Sequence, residues 1–84
     1  MTTLNTDAII KACDTLARRV TTIGGEYHGS PFLFDQCMRA FTNKALPAEA
    51  ITFSVLINTP VMKPGEATIY RDGRLEMRTT GAAE

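Results

Sequence analysis

The apolar residues of this chain change their spacing once, between Phe41 and Ile51, and that change constrains the fold more than any other feature. Before it they recur at helical intervals. Ile9, Ala12, Cys13, Leu16, Val20 and Ile23 follow i, i+3, i+4, i+7, i+11 and i+14, one stripe of an amphipathic helix. Phe34, Cys37, Met38 and Phe41 repeat the pattern, with Leu33 widening the stripe. After it the interval is two: Ile51, Phe53, Val55 and Ile57 alternate with Thr52, Ser54, Leu56 and Asn58, as in a strand with one buried face.

Local signals set the expected bounds. Asn5 is placed to cap a first helix over 5–23, with Leu4 and Ile9 as a hydrophobic staple and Asp7 near the positive end of the helix dipole. Asp7 precedes Lys11, and Asp14 precedes Arg18, by the four residues that favour an ion pair. Gly24 supplies a stop. Ser30 before Pro31 reads as a cap followed by a first helical residue, giving a second helix over 31–44 that closes at "NKALP".

Strands are expected over 50–58, 66–71 and 74–79, with a flexible tail over 80–84. The last two form a hairpin marked by Asp72-Gly73. A two-residue turn would set Ile69 against Glu76 and mix apolar with charged side chains on one face. A loop of Arg71, Asp72 and Gly73, with Gly73 as the bulge residue, sets Ile69 against Leu75 and Ala67 against Met77. The other face then pairs Glu66 with Arg78, Thr68 with Glu76 and Tyr70 with Arg74, all compatible neighbours. Segregated helices followed by antiparallel strands specify an α+β fold, two N-terminal helices on a three-stranded antiparallel sheet in the order ααβββ, as one domain over 1–84.

Charge narrows the functions. Nine Lys and Arg balance nine Asp and Glu in 84 residues, with no run of one sign, so the general footprint of nonspecific nucleic-acid binders is missing. No segment has the roughly 18 apolar residues of a membrane span, and "MTTLNTDAII" lacks the basic start of a signal peptide. The chain is accordingly read as cytoplasmic, without a membrane partner, and with Cys13 and Cys37 as reduced thiols in the core.

Four sets of residues invite a chemical reading. His28 with Cys13 or Cys37, oriented by Asp14 or Asp35, has the makings of a thiol nucleophile, but both cysteines sit on apolar stripes. The same residues lack the paired spacing of a metal site. "GGEYHGS" leads into a helix as phosphate-binding loops do, yet has neither a strand before it nor a Walker lysine. Its Tyr27 and His28, with Glu26, have no structural duty and form one candidate contact patch.

The hairpin's Tyr70, Arg71, Arg74 and Arg78 form another, since Tyr and Arg dominate interface hot spots. The expectation is a non-enzymatic interaction protein without catalytic residues, metal or cofactor, binding an unidentified protein. Its size suits an inhibitor or adaptor of a larger machine, in the style of phage proteins that block host enzymes. A chain this short gains burial by pairing, so a homodimer is expected. The alternative is an oligomeric binder of a nucleotide or another small anion, with Arg18 and Arg19 as contacts.

Overall fold

A computed structural model describes residues 3–23, 29–58 and 63–79. Their order is α1 (Thr6–Arg19), β1 (Val20–Ile23), α2 (Ser30–Phe41), β2 (Ala50–Ile57), β3 (Lys63–Tyr70) and β4 (Leu75–Thr79). The strands form one antiparallel sheet in sequence order, β1-β2-β3-β4. The architecture is α+β as expected, with four strands in place of three.

The additional strand is cut from the expected end of the first helix. Asn5 caps α1, its side chain accepting the Ala8 N–H at 3.1 Å, but the helix stops at Arg19 and Val20 is extended. Val20-Thr21-Thr22-Ile23 is a run of β-branched residues, which lose side-chain freedom in a helix and fit a pleated strand. Val20 nevertheless stays buried, so the stripe continues across the change of structure. Asn58 N–H donates to the Arg19 carbonyl at 2.7 Å and fastens this corner to β2.

The start of α2 also differs by one residue. Gly29 holds the cap position in an extended conformation and Ser30 is helical, which frees the Ser30 hydroxyl to donate to the Asp14 carboxylate on α1. The helix ends three residues before the expected Lys44. Thr42 turns both its N–H and its hydroxyl onto the Met38 carbonyl, and Asn43 Oδ1 then accepts the N–H groups of Ala45 and Leu46 in a turn. The proposed stop at Gly24 and the tail over 80–84 lie outside the described residues.

Alternation decides what each strand presents. Phe53, Val55 and Ile57 of β2 and Ala67 and Ile69 of β3 face inward, beneath Ile9, Cys13 and Leu16 of α1 and Leu33, Cys37 and Phe41 of α2. Within this layer α1 packs on β3 and α2 on β2. Each fully buried large side chain, such as Leu16, Leu33, Phe41 or Ile69, contributes about 1.5–3 kcal/mol relative to exposure. The β3–β4 hairpin has the register that patterning selects: Ile69 opposite Leu75, Ala67 opposite Met77 and Glu66 opposite Arg78. Gly73 N–H donates to the Tyr70 carbonyl and Tyr70 N–H to the Arg74 carbonyl, both at 2.9 Å, with Gly73 at φ +94° as the left-handed residue.

Cys13 of α1 and Cys37 of α2 meet between the two helices. Both are free thiols with 0% exposure and their sulfurs are 4.0 Å apart. The hydrogen bond shared with Cys13, and burial behind it, hold the Cys37 thiol above the ordinary value of 9.0. In alkali the unfolded chain therefore releases a proton that the folded protein retains. This stability is fully present below about pH 9 and is lost above it, by up to about 1.4 kcal/mol per pH unit for one proton. Urea unfolding across that range should show a steeper alkaline loss in the parent than in a variant carrying both Cys13→Ala and Cys37→Ala; equal slopes would show that the buried thiol pair does not contribute.

Candidate binding surface

The hairpin residues singled out from the sequence divide between the two sides of the sheet. Tyr70, Arg74 and Arg78 belong to the outer side. Arg71 does not: it is buried, with 7% of its surface exposed. It continues the inward parity of Ala67 and Ile69, and its guanidinium donates to the Phe41 carbonyl at 2.7 Å and the Ala48 carbonyl at 3.1 Å. Its backbone N–H meets the Glu49 carbonyl and its carbonyl accepts the Asn5 N–H, each at 3.0 Å. Arg71 thus joins the N-terminus of α1, the C-terminus of α2, the segment before β2 and the hairpin. A charge inside a core persists only when hydrogen-bonded in this way, so its guanidinium is engaged within the fold and not on the outer face with Tyr70, Arg74 and Arg78.

On the outer side, the polar residues are already arranged. The Arg74 guanidinium lies 4.1 Å from the centre of the Tyr70 ring. The Tyr70 hydroxyl donates to the Glu76 carboxylate at 2.7 Å, which raises the phenol above its ordinary value of 10.0. Arg78 donates to Glu66 Oε1 from two nitrogens, at 2.7 and 3.2 Å. Thr52 and Thr68 share a hydroxyl hydrogen bond at 2.9 Å across β2 and β3. These pairs are solvent-exposed and individually worth little to stability. Their consequence is geometric, because each side chain has a fixed neighbour.

The face is stepped. Ala50 of β2 stands opposite Tyr70, and Thr68 lies between Thr52 and Glu76, so short residues run beside longer ones. The result is an open trough of about 650 Å³ bordered by Ala50, Thr52, Thr68, Tyr70, Glu76 and Arg78, among others. Thr52 and Ala50 were not among the sequence candidates. Alternation along β2 places Thr52 on this side, but only the β2–β3 register brings it to Thr68, and the prolines and glycine of residues 58–66, which read as a connecting loop, hide that β3 begins at Lys63.

The remaining candidates lie elsewhere. Arg18 and Arg19 are exposed in the last turn of α1. Arg19 borders two further depressions, one with Lys11, Thr15 and Leu75, the other with Ile57, Met77 and Arg78. Tyr27 and His28 lie outside the described residues. Both thiols are enclosed, while Asp14 accepts from Ser30 and Asp35 pairs with Arg39 at 2.9 Å. Among the described residues no group of three or more His, Cys, Asp and Glu side chains is placed to hold a metal ion. Nor is any helix among them long and apolar enough to cross a membrane.

No known protein family matches the chain, and comparison with curated proteins and with solved structures found no match. The functional reading therefore stands on the geometry.

Proposed function

We propose that this is a non-enzymatic interaction protein whose outer sheet face binds a protein partner, in the manner of a small inhibitor or adaptor. The observation that carries the reading is the Arg74–Tyr70–Glu76 arrangement beside the trough. Tyr and Arg contribute large contact areas at interfaces, and side chains already held by neighbours lose less freedom on binding. The face bears acids, bases and hydroxyls together, which suits a polar protein surface better than a polyanion. The partner complex is expected in the cytoplasm, and the same reading has the chain acting as a homodimer.

Affinity capture from the native cell supplies the test. Tyr70→Ala and Arg74→Ala should each weaken the captured complex by about 30-fold, the scale of a 2 kcal/mol hot spot, while circular dichroism stays unchanged. Equal capture by the parent and both variants would remove this face from the interaction.

A second reading takes support from Arg19. The described residues that line the depression it shares with Lys11 include no carboxylate, which suits a nucleotide or other small anion. A nucleotide at 100 times its dissociation constant would add about 2.7 kcal/mol of stability, an effect visible in a thermal-shift panel. Arg19→Ala should abolish that gain, and a flat panel would end this reading.

A further inference from the structure

Among the described residues the sheet has two edges, β1 and β4, and they are not alike. β1 has four residues and a register shift between Val20 and Thr22, an irregularity of the kind that keeps an edge from accepting another strand. β4 is regular. Leu75-Glu76-Met77-Arg78-Thr79 holds unbroken register with β3 and contains neither proline nor glycine.

The turn fixes which backbone groups of β4 are open. Tyr70 N–H donates to the Arg74 carbonyl, so these residues form a hydrogen-bonded pair. By alternation Thr68 with Glu76, and Glu66 with Arg78, are pairs of the same kind. The N–H and C=O groups of Leu75, Met77 and Thr79 consequently point away from β3, along the edge. Edges are commonly protected by charged side chains, lysine above all, that repel a second copy. Here the outward side chains are one acid and one base, Glu76 and Arg78, two positions apart.

We propose that this edge binds a second copy of the chain, antiparallel, about a twofold axis at Met77. Met77 then faces Met77 of the second copy, Leu75 faces Thr79, and Glu76 faces Arg78 in both directions. The outward backbone groups fall in the hydrogen-bonded pairs. Glu76 and Arg78 fall in the intervening pairs, where side chains stand closer. Arg78, already 2.7 Å from Glu66, lies between two carboxylates on the outer face.

Charge also fixes the register. A slip of two residues in one direction sets Glu76 against Glu76, and in the other sets Arg78 against Arg78; both place like charges together. The pairing makes one continuous sheet through both copies and doubles the outer face. It rests on the homodimer of the reading above, and not on what the outer face binds.

Native mass spectrometry and sedimentation of the full chain test it. The expected species has twice the 9.2 kDa mass of the chain, and the Leu75, Met77 and Thr79 amides become protected from hydrogen exchange as concentration rises. Glu76→Arg or Arg78→Glu alone should weaken association about tenfold or more, because each creates like-charge pairs on both sides of the axis. Glu76→Arg with Arg78→Glu, combined with Glu66→Arg to keep the pair inside the hairpin, should restore it, since the reversed pattern is again self-complementary. Thr79→Pro should also weaken it without unfolding the hairpin, because the N–H it removes faces the open edge. A 9.2 kDa species at every concentration would overturn the homodimer itself. A dimer indifferent to both single reversals, or not restored by the combined one, would overturn the β4 pairing alone.

Discussion

Replacing Arg71 with alanine should cost about 3–5 kcal/mol, the scale of two lost hydrogen bonds from a charged donor, and lower the melting temperature by roughly 15 °C or more. The guanidinium is the donor to the Phe41 and Ala48 carbonyls, one at the end of α2 and one just before β2. Without it both must find water in a nearly closed site. For a chain of this size total stability is roughly 4–12 kcal/mol, so the loss is a large share of what holds the fold.

Arg71→Met separates packing from hydrogen bonding. Methionine replaces the apolar stem but donates to neither carbonyl, so a cost close to that of Arg71→Ala identifies the bonds as the main contribution. The backbone bonds of residue 71 to Glu49 and Asn5 remain available in either variant. Urea denaturation measures both. A change below about 1 kcal/mol in Arg71→Ala would show that these two bonds contribute little.

Gly73→Ala should be comparably severe. The residue sits at φ +94°, where a side chain costs about 1–2 kcal/mol, and the added Cβ would collide with the Ala8 side chain and with its backbone 2.8–3.0 Å away. Overpacking adds about 1–3 kcal/mol, because α1 must shift while Asn5 is bonded to Arg71. Combining Gly73→Ala with Ala8→Gly should recover only part of the loss, since the conformational cost and the backbone contact remain. Full additivity in that double-mutant cycle would mean that α1 does not rest on the turn.

The same hairpin shows how far the sequence could be read. Its register was legible because only one alignment separates Ile69, Leu75, Ala67 and Met77 from the charged residues, and burial of one face makes that separation costly to violate. The inward turn of Arg71 was legible in principle from its parity with Ala67 and Ile69. Its charge outweighed that signal because the two carbonyls that receive it come from Phe41 and Ala48, distant in sequence.

The end of α1 was obscured for a different reason. Val20 falls on the helical stripe and also on the inner face of a strand, so periodicity does not distinguish the two, and the β-branched run is the deciding feature. Tyr70, Arg74 and Arg78 were found as outer-face residues because hairpin neighbours are local. Thr52 became part of the same face only through the β2–β3 pairing, whose start was hidden because Pro64 and Gly65 read as loop residues but lie in β3.

The central claim is that a protein partner contacts the outer face, and photocrosslinking in the native cell tests it most directly. A photoreactive amino acid at Thr52, beside the trough, should give a discrete adduct heavier than a pair of these chains. The same residue at Asp35, exposed on α2 on the opposite side of the sheet, should not. No adduct from Thr52, or the same adduct from both positions, would contradict the account.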